Sequence, residues 1–329
     1  RLAIDQAESV LREALQAFPD HEQAWLALAD FLSLRRGKDA AEAALRQAME
    51  RLPYSTKIQF SLGTLYEGHK DVTKARQVYE AVIKGQKKKS AGLDARVRLA
   101  QLDFNAGRQA EAERRLAEVL RDNPRSAEGL ILQGKIALIG KNGKDALQAF
   151  RTVLRDQPEL AHVQHLLGQA YIMTGELALA RNSFERAVAL RPDAMASGLA
   201  LATLEIQSGR VPRARARLLE IFKAHPDYLP ALEQLFALDL STGEWSHAKI
   251  VLDPLRRAMG DNPAILIAEG RLYEAQGDYA KAAGTFERAA SMAPAAADPL
   301  MALVRIDLAQ KQPDRARRRL ESVVALHPA

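Results

Sequence analysis

An alanine returns along this chain at a fixed interval, and that interval limits the fold more than any single motif does. Stepping from Ala180 by 34 residues reaches Ala214, Ala248, Ala282 and Ala316 in one direction, and Ala146 and Ala112 in the other. One step of 37 then reaches Ala75, and two of 34 reach Ala41 and Ala7. Four residues after each alanine stands a larger apolar side chain: Leu11, Leu45, Tyr79, Leu116, Phe150, Phe184, Leu218, Leu252, Phe286 and Leu320. A spacing of four puts both residues on one helix face. Twelve residues after the alanine comes proline, at Pro19, Pro53, Pro124, Pro158, Pro192, Pro226, Pro294 and Pro328, with Lys87 and Gly260 as exceptions. Proline has no amide to continue a helix, so each one predicts a stop and a restart.

The other half of each unit also reads as a helix. In HVQHLLGQAYIMTG, Leu167, Gly168 and Tyr171 precede Gly175, which closes the helix as a C-cap glycine would. A small residue recurs after the leucine, as Ala29, Gly63, Ala100, Gly134, Gly168, Ala202 and Gly270, where a bulkier side chain would hold two paired helices apart; Phe236 and Val304 depart from the rule. Gly107, Gly175, Gly209, Gly243 and Gly277 share the turn between the two helices, a place that suits positive φ. The pattern predicts a gap on the first helix, a plug on the second and proline as punctuation.

These residues resemble the tetratricopeptide repeat family, whose pattern W-x2-L-G-x2-Y, then A-x3-F, then P, is matched by LLGQAY, ARNSF and RP. The resemblance covers essentially the whole chain. It implies an all-α fold, a right-handed superhelical solenoid of antiparallel helix pairs, with about nine full repeats and a leading half. The repeats are 22–55, 56–92, 93–126, 127–160, 161–194, 195–228, 229–262, 263–296 and 297–329, and residues 1–21 supply one second helix. Repeat 56–92 is three residues longer, and KGQKKKSAG predicts that Lys84, Lys87, Lys88 and Lys89 decorate a longer, mobile turn within a single solenoid over 1–329. Stability in such an array accumulates between neighbours, and its ends need covering. The last repeat, with Leu300, Leu303, Val304, Ile306, Leu308, Leu320 and Val324, is expected to leave an apolar end open to self-association.

Composition narrows the function classes. The 329 residues are 47% hydrophobic and 27% charged, an ordinary folded balance, and the net charge of +6 is spread over many residues of both signs. No cysteine occurs, so disulfides, thiolate zinc sites and cysteine nucleophiles are excluded. No apolar run approaches the roughly 18 residues of a membrane span. The chain opens at Arg1 without methionine or signal peptide, so it reads as part of a longer protein, cytoplasmic or periplasmic, and its regular alanine-rich repeats suggest a bacterial source.

Catalytic motifs find no support, and neither a cofactor nor a metal is expected. In GKIALIGKNG, five residues separate Gly134 from Gly140 where a phosphate loop needs four, and Asn142 replaces the hydroxyl that would hold magnesium. His162 and His165 share a helix face, but the sequence places no third ligand beside them. Arg210, Arg213, Arg215 and Arg217 recur in register with Arg315, Arg317, Arg318 and Arg319, which suggests a solvated convex face; with aromatics at 5%, nucleic acid is not expected as a partner.

The family's concave face, lined by first-helix positions, is then the candidate partner groove. Carried onto this chain it gives Ile131, Lys135, Leu138, Ile139, His162, His165, Gln169, Ile172, Met173, Leu199, Thr203 and Ile206, with Arg271, Glu274, Met301 and Arg305 further on. The lysine and asparagine pair by which co-chaperone members clamp acidic tails is missing: these positions read Leu26 and Asp30, Phe60 and Thr64, Val97 and Gln101, Ile131 and Lys135. The apolar middle, with flexible Met173, suits an amphipathic helix or extended peptide of a protein partner. The expected role is a non-catalytic interaction scaffold. The alternatives are a periplasmic or lipid-anchored component of a bacterial export or exopolysaccharide machine, and a regulatory arm of a larger enzyme.

Overall fold

A computed structural model of the protein describes residues 2–86, 89–294 and 296–326; Lys87, Lys88 and Pro328, named above, lie outside them. The described residues form nineteen helices and no strand. They gather into two compact units, Arg1–Glu176 and Leu177–Ala329. The division falls between two helices of one repeat and not at the lysine-rich turn. In that turn Lys84 belongs to a helix and Lys89 caps the next.

The first unit runs through α1 (Leu2–Ala17), α2 (Glu22–Arg35), α3 (Lys38–Arg51), α4 (Thr56–Gly68) and α5 (Val72–Gln86). It continues with α6 (Ser90–Asn105), α7 (Gln109–Asp122), α8 (Ala127–Ile139), α9 (Gly143–Asp156) and α10 (Ala161–Met173). The second holds α11 (Leu177–Leu190), α12 (Met195–Gln207), α13 (Val211–Ala224), α14 (Leu229–Thr242) and α15 (Trp245–Met259). Its remaining helices are α16 (Pro263–Ala275), α17 (Tyr279–Met292), α18 (Ala297–Ala309) and α19 (Pro313–Leu326). One leading helix and nine pairs therefore follow the 34-residue register, and every proline of that register that is described stands in the turn after a second helix.

The gap and the plug meet as the spacing requires. A Cβ added to Gly134 would lie 2.4 Å from the ring of Phe150, and one added to Gly63 or Gly270 would lie 2.6 Å from Tyr79 or Phe286. Where the gap residue is alanine, the plug sixteen residues on is leucine: Ala29 with Leu45, Ala100 with Leu116, Ala202 with Leu218. Volume is thus conserved across these pairs, as close packing demands, while Phe236 with Leu252 and Val304 with Leu320 depart from it. Each buried ring contributes about 2 kcal/mol by burial alone.

The plug at the last pair differs from the rest. Tyr79, Phe150, Phe184, Leu218 and Phe286 are fully buried, whereas Leu320 is 39% exposed. Its neighbours Leu308 and Val324 are also exposed, although Leu303, Val304 and Ile306 of the same pair are buried. The expected open apolar end is therefore narrower than the sequence suggests.

The turns inside the pairs use positive φ throughout, but not always glycine. Gly243, for example, has φ 78° and ψ 12°. In the same register Lys70, Lys141 and Lys311 adopt φ of 60°, 57° and 58°. A lysine held there costs on the order of 1 kcal/mol, which the packing on either side sustains.

Candidate functional site

In most repeats one position of the first helix gathers polar contacts from the second helices beside it, and it lies where the repeat pattern places tyrosine. Along the chain it reads Leu32, Tyr66, Asp103, Ala137, Tyr171, Glu205, Asp239, Tyr273 and Asp307. At Tyr171 the hydroxyl accepts from Arg151 at 3.1 and 3.0 Å, and the guanidinium lies 5.2 Å from the ring centroid. At Tyr66 the hydroxyl donates to Glu42 at 2.8 Å and accepts from Arg46 at 3.0 Å, while Lys38 and Lys74 lie over the ring.

The carboxylates gather their partners by charge, Asp103 and Asp239 in part from the preceding pair and Glu205 and Asp307 from their own. Asp103, 2% exposed, accepts from Arg108 and Arg115 at 2.8 Å each and from Arg76 of the preceding second helix. Burial alone would raise its carboxyl, but the three arginines outweigh that and hold it below the ordinary carboxylate range. Glu205 accepts from Arg217 at 3.2 Å, Asp239 from Arg215 at 2.7 Å with His247 beside it, and Asp307 from Arg319 at 2.8 Å. A buried carboxylate without such partners would be costly enough to unfold its surroundings.

These contacts correct the reading of the basic clusters. Arg215, Arg217, Arg315 and Arg319 each pair with a buried acid, whereas Arg210, Arg213, Arg317 and Arg318 are exposed. Arg317 pairs with Glu321 at 3.1 Å on the surface. The acids were missed because they interrupt a hydrophobic pattern; an arginine twelve residues on, as in Asp103 with Arg115, Glu205 with Arg217 and Asp307 with Arg319, is the signal that finds them.

The sequence-derived groove residues divide between the two units. In the first unit Ile139 is 67% exposed, and Ile172 and Met173 are exposed beside Gln169 on α10. Lys135 and Leu138 are half-buried, and Ile131, at 6% exposed, belongs to the packing and offers no surface to a partner. His162 is exposed and His165 half-buried, and burial holds the His165 imidazole below its ordinary value, so it is neutral at pH 7. In the second unit Leu199 and Ile206 pack against the core, and Thr203 donates to the Leu199 carbonyl at 3.0 Å and accepts from Gln234 at 2.8 Å. Among the described residues, no group of three or more metal-ligating side chains gathers and no helix is long and apolar enough to cross a membrane.

A formed cavity of groove character lies elsewhere, within the second unit. It opens between α14 and α16 with a volume of about 490 Å³, lined by Glu233, Ala237, Leu240 and Ser241 on one helix and Ala264, Ile267 and Arg271 on the other. These are the first-helix positions that the resemblance assigns to the groove, in the two repeats that follow the middle set. Its floor includes Phe236, Leu255, Met259 and Ile265. Phe236 is the residue that departs from the small-residue rule, so the exception helps to shape the cavity. Its walls are apolar, and Glu233 and Arg271 supply one charge of each sign.

Comparison with known proteins agrees with this architecture. The family model described as Tetratricopeptide repeat matches residues 273–329, and the one described as Suppressor of forked protein matches residues 3–201, more than half of the chain. Superkiller complex protein 3 of Mus musculus is 23% identical over 282 residues, covering 74% of this chain and 18% of that protein. Cellulose synthase operon protein C of Xanthomonas axonopodis pv. citri is 28% identical over 240 residues, covering 68% of this chain and 16% of that protein. The chain thus spans less than a fifth of either relative's length. Among solved structures, PilW, a type IV pilus biogenesis factor, superposes with a TM-score of 0.57 at 17% identity, over 64% of this chain and 98% of that one.

Proposed function

The chain belongs to the tetratricopeptide repeat family, and on that premise we propose that it is a non-catalytic scaffold that takes a peptide or helix of a partner protein on its concave first-helix face. The observation that carries the reading is the cavity between α14 and α16. It is apolar, about 490 Å³ in volume, and lined by the positions that this family presents to partners. A side chain of leucine or phenylalanine size fits such a cavity, and Glu233 and Arg271 at its rim would fix the direction of the bound backbone. Ile139, Ile172 and Met173, exposed in the first unit, offer a surface of the same apolar kind there.

The test is a selection of binding peptides from a random library against the whole chain, followed by measurement of their affinity for an Ala237→Glu variant. Ala237 is exposed, so the substitution places a charge in the cavity without disturbing the core. Selected peptides with apolar anchors should lose at least roughly tenfold in affinity. Unchanged affinity, with circular dichroism showing both proteins folded, would remove the cavity from the account.

A second reading has one observation in its favour. The likeness to Cellulose synthase operon protein C suits an assembly component of a bacterial exopolysaccharide machine. On this reading, deleting the segment from its parent protein in the native cell abolishes polymer export and leaves the synthase present.

A further inference from the structure

The tyrosine position of the first helix, the lock, is filled in every repeat but one. Leu32 is buried, and the tyrosines and carboxylates have their cations; only Ala137 leaves the place open. The residue twenty positions before the tyrosine supplies the arginine in two repeats, Arg46 for Tyr66 and Arg151 for Tyr171, and before Ala137 it is Ala117. Both halves of the lock are therefore alanine here. The result is a hollow of about 320 Å³ inside the first unit, between α7, α8 and the start of α9.

The charges around it have changed as well. At the Tyr66 lock, three cations surround the ring: Lys38, Arg46 and Lys74, with Glu42 and Asp71 as their partners. In matching register the hollow has Gln109 for Lys38, Ala117 for Arg46, Asp145 for Lys74 and Asn142 for Asp71, and it keeps the acid, Glu113 for Glu42. No base lines it. Glu113 accepts from Gln109 at 2.7 Å and Asp145 from Asn142 at 2.6 Å, and among the described residues neither carboxylate is in an ion pair. Its floor is Leu116, Leu120 and Ile136.

We propose that this hollow is a recognition site for an arginine side chain of a partner protein. An arginine laid into it would rest its methylene stem on the apolar floor and present its guanidinium to Glu113 and Asp145, restoring from outside the cation that Arg46 and Arg151 supply from within. Arginine fits better than lysine because Glu113 and Asp145, on different helices, and the amide oxygens of Gln109 and Gln133 offer several acceptors to a planar fork of donors. None of the lining residues belongs to the concave set, so the site is separate from the α14 and α16 cavity and its test is independent of the peptide selection.

The experiment titrates the isotopically labelled chain with N-acetyl-arginine methylamide and, as a neutral isostere, with N-acetyl-citrulline methylamide, and follows the side-chain amide resonances of Gln109, Gln133 and Asn142. The arginine compound should shift these resonances saturably, and the citrulline compound should bind roughly tenfold more weakly or not at all. A Glu113→Gln, Asp145→Asn variant, changed only at exposed positions, should lose the response by a similar factor. An Ala117→Arg, Ala137→Tyr variant, which rebuilds the Tyr171 lock, should raise the melting temperature and abolish the response. Equal shifts with both compounds, an undiminished response in the carboxylate variant, or arginine binding that survives in the rebuilt lock would each overturn the proposal.

Discussion

Asp103 on α6 and Tyr171 on α10 occupy the same repeat position two repeats apart, and they hold their surroundings by different physics. Tyr171 fills volume with a ring and caps it with one guanidinium from Arg151. Asp103 fills little volume and instead draws Arg76, Arg108 and Arg115 onto one carboxylate. The lesson is that the repeat specifies a place to be closed and not a residue to close it. A ring tolerates the loss of its hydroxyl because its packing remains. A carboxylate surrounded by arginines has no such reserve, since its removal leaves several cations partly buried and unpaired.

The largest expected effect follows from that difference. Asp103→Ala should cost about 3 kcal/mol, read as a fall in the urea midpoint or as faster amide exchange in α6. Next comes a packing change on the same helix as the unfilled lock: Gly134→Ala should cost about 2 kcal/mol, because its Cβ would meet the Phe150 ring. Adding Phe150→Leu should return most of that, since the double variant reproduces the Ala100 and Leu116 pair. A rescue that fails would mean that gap and plug are not one volume. Tyr171→Phe should cost only about 1 kcal/mol, the worth of one hydrogen bond. A loss as large as that of Asp103→Ala would erase the distinction between the two locks.

The smallest effect is one of pH. The folded carboxyl of Asp103 titrates below its unfolded value, so its contribution is fully present at neutral pH and fades as acid carries the solution down through the folded value. The stability gap between the native chain and Asp103→Asn should therefore be constant from pH 7 to about 5 and shrink below about pH 4. Over the same range Tyr171→Phe should show no such trend, because the change removes a hydroxyl and leaves every carboxylate in place. Parallel curves for the two variants would contradict the assignment of the arginines to Asp103.

The sequence is most legible where one property repeats without exception. Alanine, plug and proline return in register, and each of these marks a helix face or a helix end, so the helix pairs are readable directly. Chemistry that alternates at one position is harder to see. Asp103, Glu205, Asp239 and Asp307 sit in a tyrosine's place and look like interruptions, and the arginines of Asp103, Glu205 and Asp307 look like surface charge until the spacing of twelve is noticed; that of Asp239 is Arg215, on the preceding second helix. Lys70, Lys141 and Lys311 take the glycine's turn conformation, which no propensity suggests for lysine. The groove is partly legible: Ile139, Ile172 and Met173 are exposed, while Ile131 is drawn into the packing, because its accessibility depends on neighbours one repeat away. The α14 and α16 cavity depends on Phe236, which the repeat rule marks only as an exception.

Arg215, Arg217, Arg315 and Arg319 hold helices together through buried acids, and the proposed function gives the partner to the first-helix face instead. Hydrogen exchange on the whole chain, with and without a library-selected peptide at saturation, tests this most directly. The expected result is slowed exchange in α14 and α16, residues 229–242 and 263–275. Slowing confined to the arginine-bearing helices α13 and α19, with α14 and α16 unchanged, would contradict it.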